Sequence, residues 1–510
     1  MTALDRQTDA RQEEAAAPGD VHRWRAFALL AVAYFMTIVD LTITNVALPT
    51  IGRKLHFPQT DLQWVVTAYA LSFGGFLLLG GRAADLLGRR RLFMAGLAIF
   101  TGASLACALA TTDTFLIVMR GFQGLGAAVV LPAALSIVIN MFPEGAERNK
   151  ALSAWSGIGA TAATVGLLAG GLLTRYAGWQ YIFYLNVPIG AAALLLARPV
   201  VPESRLAGAR RRYDMLGAVT VTGALVVLVY AISQAPAVGW TAIRTLALLA
   251  ASGALLAGFL VIETRVEQPL LPLRLFRLRT LAGSNAVSFL LGASFFSFFF
   301  TGTLYMQQVL GYSALKTGVA WLATSLTALA LAGPAQILVT RVSAKLVMAA
   351  GMTLVGAGIL WATQAPAHGH YWANLAGPLF VAGGAIFVFI PVSIGALAGV
   401  AERDAGIASG LLNTSQQIGG AIGVAVASTV AATHSRVLLS QGHAAAAALT
   451  GGFQWAFWVT GLTGLAAVPV TFLLIRRTEL ARAVAASQQR EAPVPAARRL
   501  TRVPPKRPDS

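Results

Sequence analysis

Residues 34–49 read YFMTIVDLTITNVALP, and a carboxylate, Asp40, stands in the middle of this apolar run; a guanidinium, Arg120, stands in a later one. A charge at the centre of a membrane-spanning helix costs about 2.5–3.5 kcal/mol on insertion scales, so it needs a partner, a wet cavity or a task. Measured from the ends of their runs on one side of the membrane, the two lie at depths of about 12 and 8 Å at a helical rise of 1.5 Å per residue. The long Arg120 side chain can therefore reach Asp40 if their helices adjoin. Thr37, Asp40 and Thr44 share one helical stripe, and Gln123, Gly124 and Ala127 share that of Arg120. Polar groups beside small side chains suit a cavity or a close helix contact. The chemistry open to such an acid is reversible protonation, and the alternative is a static ion pair that fixes helix register.

Other stretches carry further landmarks. In GGRAADLLGRRRLFMAG, the residues Gly81, Asp85, Gly88 and Arg89 combine a tight turn with an acid among arginines, a set able to switch partners at a gate. Gly159, Gly166, Gly170 and the adjacent Gly171 form a small-residue face over which another helix can pack or slide. The aromatic run FLLGASFFSFFFTGTLYMQQ and the amides of LLNTSQQIGG suit a roomy apolar pocket, and Thr37, Thr44, Gln123, Asn413 and Gln417 are its candidate polar contacts. Most of the phenylalanines are expected to pack or to face lipid. No phosphate-binding loop, metal-ligand cluster or nucleophile elbow occurs; His368 and His370 are too few for a metal site, so neither enzyme chemistry nor a cofactor is expected. Cys107, the one cysteine, reads as a packing residue.

The elements that must position these residues are helices. The chain is 56% hydrophobic and only 11% charged, and it strings together fourteen apolar runs, from about 26–48 to about 453–475, each long enough to cross a hydrocarbon core. An even number of spans puts both termini on one side. With the termini inside, most of the 38 Lys and Arg fall in inner segments, and the outer loops keep Arg53, Lys54, Arg175, Arg244, Lys316 and Arg436. The net charge of +18 is thus a topology signal and not a nucleic-acid footprint. Lipid is an expected partner, and the arginine-rich, Ala- and Gly-rich composition suits a bacterial plasma membrane.

An internal repeat organises the runs. AER at 146–148 returns at 401–403, MAG at 94–96 is similar to AAG at 349–351, and the first and ninth runs begin near 26 and 282. The shared register divides the chain into an inner N-terminal segment (1–25), a six-helix bundle (26–198), an inserted helix pair with flanking inner loops (199–281), a second six-helix bundle (282–475) and a disordered basic tail (476–510). This is an all-α integral membrane fold, two six-helix bundles plus two inserted helices.

On these residues the chain resembles the major facilitator superfamily, and within it the fourteen-segment drug/proton antiporters of the EmrB/QacA type. DLTITNVALP resembles the first-span signature of that branch, GRAADLLGRRR its gate motif, RGFQGLGAA its fourth-span motif and WQYIFYLNVPIG its sixth-span entry. The resemblance covers about residues 25–475. It implies alternating access, export of hydrophobic small molecules such as drugs or antibiotics, proton coupling through Asp40 with Arg120 in support, and an inner gate of Asp85 and Arg89, with Asp85 facing the start of span thirteen near Ala405. It also implies a glycine-lined antiporter motif in span five. Leu167 stands where that motif carries proline, so the proline kink is not expected, and Thr340 replaces the acid in the second half's gate motif. Carriage of a specific metabolite, amino acid or lipid, and a non-transporting receptor or assembly subunit, are the alternatives on the same fold.

Overall fold

The computed structural model describes residues 20–58, 61–143, 146–203, 214–266, 269–400 and 404–482. Its elements, all helical among the described residues, are α1 (Asp20–Lys54), α2 (Trp64–Leu87), α3 (Arg89–Ala108), α4 (Asp113–Met141), α5 (Ala146–Tyr176), α6 (Tyr181–Val200), α7 (Met215–Val238) and α8 (Ile243–Arg265). Then come α9 (Arg279–Leu304), α10 (Ala314–Leu338), α11 (Ala344–Ala362), α12 (Tyr371–Ala396), α13 (Ala405–Ser440) and α14 (Ala445–Leu474). Polar residues mark several starts: Thr112 Oγ1 accepts from Phe115 N-H at the head of α4, and Ser313 Oγ from Lys316 N-H at the head of α10.

Length and hydropathy single out thirteen membrane-spanning helices among the described residues, one fewer than the apolar runs. The difference lies at 314–362, a 49-residue stretch far too long for one crossing. Within it residues 339–343 form a π turn and Ser343 is extended (φ −176°, ψ 125°), so the chain breaks there into α10 and α11, both of which pack on α12. Glycine makes the corresponding turn between α2 and α3. Gly88 has φ 108°, a conformation that side chains disfavour, and the two helices meet there with no intervening loop.

Helix pairing inside α1–α6 recurs eight helices later. Helix α1 packs on α5 and α6, α2 on α4, and α3 on α4 and α6; likewise α9 packs on α13 and α14, α10 on α12, and α11 on α12 and α14. The two sets meet through α2 against α13 and α5 against α10, again a related pair. Helices α7 and α8 pack on each other, and α7 also lies along α2 and α13, where Leu225 and Val229 close with Leu71, Ala421 and Ala425. Beyond α14 the chain does not trail away at 476: residues 477–482 are helical, Leu480 is 1% exposed and Glu479 accepts from Thr280 Oγ1 at 2.5 Å. The expected tail boundary is therefore too early. Residues 1–19 and 483–510 lie outside the described part.

Candidate functional site: a buried ion pair behind a central cavity

Four helices converge on Asp40, which is 0% exposed. Its Oδ2 accepts from Arg120 Nη1 at 2.5 Å; its Oδ1 accepts from Gln123 Nε2 at 2.8 Å and from Asn186 Nδ2 at 2.9 Å. Arg120 is 1% exposed, donates through Nε to Val65 O at 2.9 Å and through Nη1 to Gln123 Oε1 at 2.6 Å, and lies over the Tyr69 ring at 4.5 Å. Ser104 of α3 accepts a further bond from Gln123 Nε2 at 2.8 Å. A bare charge would not persist at such depth, so the acid is held by a guanidinium and two amides, and the guanidinium by a carbonyl and a π face. Asp40 and Arg120 thus meet as their spacing predicts. Asn186, in the second turn of α6, is a partner that was not singled out as a site residue, although it stands inside the sixth-span entry WQYIFYLNVPIG.

Beside this cluster lies a cavity of about 1200 Å³. Its α1 wall is Tyr34, Ile38, Leu41, Thr42 and Asn45, a stripe adjoining that of Asp40. The ion pair sits one residue behind the wall: Leu41, Val66 and Ala70 line the cavity and follow Asp40, Val65 and Tyr69 in sequence. Of the expected cavity contacts, Asn413 and Gln417 line it, joined by Gln416. Thr37, Thr44 and Gln123 do not, and this corrects the expectation. Their stripe faces into α1–α6: Thr37 and Thr44 spend their hydroxyls on Tyr34 O and Asp40 O at 2.7 and 2.8 Å, and Gln123 belongs to the ion-pair cluster. The cavity wall is aromatic and amide. Tyr34 stacks on Trp155 at 4.3 Å, Phe73, Phe296 and Phe299 also line the cavity, and Asn45 Oδ1 is buried without a donor among the described residues. Phe298 and Phe300 of the aromatic run pack in the core, Phe298 edge-on to Trp321 and Phe457.

The cavity opens at the end of the bundle where α2 meets α3. Gly81, Arg82, Asn140, Arg274, Asp404 and Ala405 line that mouth, with Arg274 and Asp404 paired at 3.1 Å. Gly88 makes the turn there and Arg89 is buried, while the Asp85 side chain lies outside the described part. Arg90 instead finds Glu203, at 3.6 Å. At the opposite end α5 and α10 close the bundle. A Cβ on Gly171 would fall 2.6 Å from Leu315 Cα, Gly318 meets Leu167 O, and Gln307 Nε2 donates to Val46 O at 2.8 Å. Gly159, Gly166 and Gly170 serve another contact, lying against Tyr34, Thr42 and Ile43 of α1. Helix α5 runs unbroken past Leu167.

A bundle that pairs two related sets of helices around one deep cavity, open at one end and shut at the other, is the architecture of a membrane carrier. The chain belongs to the Major Facilitator Superfamily, whose model matches residues 30–424 and 285–506. It is 38% identical to the cephamycin export protein of Amycolatopsis lactamdurans over 79% of this chain and 84% of that one. It is 36% identical to the puromycin resistance protein of Streptomyces alboniger, over 92% and 95%. Among solved structures, a POT family transporter aligns with a TM-score of 0.64 at 14% identity, covering 92% of this chain and 99% of that one. A bacterial homolog of the lysosomal transporter Spinster, solved inward-facing and unoccupied, aligns at 0.62 and 14% with the same coverage.

Proposed function

We propose that this chain exports hydrophobic small molecules, an antibiotic or a drug, across the bacterial plasma membrane in exchange for protons. The observation that carries the reading is the placement of a sealed Asp40–Arg120 ion pair directly behind the wall of a large aromatic and amide cavity. The export and resistance activities named for the two curated relatives point the same way. Both termini are cytoplasmic in this reading, and the open mouth faces inward, ready to load. The six-helix sets α1–α6 and α9–α14 move as two bundles, with α7 and α8 as an inserted pair.

Coupling follows from the hydrogen bonds. A proton on Asp40 Oδ2 turns the ion pair into a neutral carboxyl facing a cation, and Arg120 is left with Val65 O and Gln123 Oε1. The tie from α1 to α4 weakens, and the wall residues Leu41, Val66 and Ala70 stand on the helices that shift. Gly81, Asp85, Gly88 and Arg89 form the inner gate between the bundles, and the glycines of α5 let it slide on α1 and α10. In the cavity, Asn45, Asn413 and Gln417 orient cargo that the aromatic rings hold by area.

The test is dye accumulation in an efflux-deficient bacterium expressing the chain. Lower accumulation of a hydrophobic dye, abolished by a protonophore, is expected. Reduced accumulation that persists without a proton gradient would contradict coupling, and unchanged accumulation across a panel of hydrophobic compounds would contradict export.

A further inference from the structure

The inserted pair carries two carboxyls that the coupling scheme leaves unused. Asp214 caps α7, its Oδ1 accepting from Gly217 N-H at 2.7 Å. Glu263, in the last turn of α8, folds the link to α9 back, its Oε2 accepting from Leu271 N-H at 3.0 Å. Asp214 is 3% and Glu263 4% exposed. The remaining oxygens, Asp214 Oδ2 and Glu263 Oε1, are buried and have no donor among the described residues. The two side chains interact where α7 packs against α8. Nearby along the chain, Ala218 and Leu270 close with Leu79 of α2 in a small apolar cluster.

Two ionised carboxylates so placed would each present an unsatisfied anion to the other, with little water to screen them; one proton between them removes both faults. We propose that Asp214 and Glu263 share a proton at neutral pH, making a second proton-binding site on the inserted pair, apart from Asp40. The O–H of one carboxyl donates to the free oxygen of the other, and the proton comes from and returns to water.

Arg82 of α2 is a cation near both carboxyls. It lines the cavity mouth and donates to Pro269 O at 2.6 Å in the α8–α9 link. Arg274 of that link is paired with Asp404, and Arg211, Arg212 and the Asp85 side chain lie outside the described part. Loss of the shared proton leaves a second negative charge facing Arg82, so the occupancy of the site bears on the mouth of the cavity.

The experiment is infrared difference spectroscopy of the full chain in lipid nanodiscs between neutral and alkaline pH. The wild type should show the carbonyl stretch of a protonated carboxyl at neutral pH, lost on alkalinisation. Asp214→Asn keeps the helix cap and Glu263→Gln puts an amide N-H where the O–H stood, so both should fold. Each single variant should lose the band, and Asp40→Asn should keep it. A wild type without the band, or a band that survives in both single variants, would overturn the proposal. The readout requires no transport, so it stands or falls separately from the export reading.

Discussion

At the scale of single residues, the sequence showed that Asp40 and Arg120 need each other, because two charges at similar depth in apolar runs have few other ways to be satisfied. It did not show which way their stripe faces. Thr37, Asp40 and Thr44 share one polar face of α1, and Thr42 and Asn45 mark the next. A polar stripe says only that lipid is excluded; whether it meets a neighbouring helix or the cavity depends on packing across chain segments far apart in sequence. That is why Thr37, Thr44 and Gln123 fell on the wrong side and Asn45 was missed. The Arg120 geometry gives a prediction. Its planar fork serves Asp40, Gln123 and Val65 O together, and a lysine ammonium keeps the charge without that fork. Arg120→Lys should leave the chain folded while dye efflux falls at least about tenfold, as expected if about 1.5–3 kcal/mol of charge-assisted bonding is lost. Efflux at the wild-type level would mean that charge alone suffices.

At the scale of elements, fourteen spans and an internal repeat were legible because apolar length and shared register survive in the sequence, whereas the job of each cation was not. Arg90 and Lys345 stand in the register that relates 94–96 to 349–351, and both cap helix ends. Arg90 Nη1 reaches Arg198 O and Val201 O at 3.3 and 3.2 Å behind α6; Lys345 Nζ reaches Phe472 O and Ile475 O at 2.8 and 2.7 Å behind α14. Satisfaction of orphan helix carbonyls accounts for their positions. Lys345→Met keeps much of the side-chain stem and removes both bonds. It should lower the thermal midpoint of purified protein, at a cost of about 1–3 kcal/mol, with cavity ligand affinity unchanged. An unchanged midpoint would show the contact to be incidental.

At the scale of the whole molecule, the tail illustrates what composition hides. Its Ala- and Arg-rich sequence gives no periodicity by which residues 476–482 could be told from residues 483–510, yet Leu480 is buried and comes within reach of Gly395, while Glu479 holds Thr280 of α9. Truncation after Arg482 should leave dye efflux within about twofold. Truncation after Ile475 removes a buried leucine worth about 1.5–3 kcal/mol and should reduce thermal stability measurably. Equal stability of the two truncates would show that the docked turn contributes nothing.

The same scale holds the central claim, that titration of one buried acid drives the rocking of two helix bundles. Proteoliposomes with an imposed pH gradient test it most directly. Asp40→Asn keeps the shape of the side chain and removes its titration, so uphill substrate movement driven by the gradient should vanish while downhill exchange of labelled substrate persists. Gradient-driven uphill transport by Asp40→Asn at the wild-type rate would contradict the account and leave Asp40 as no more than the structural partner of Arg120.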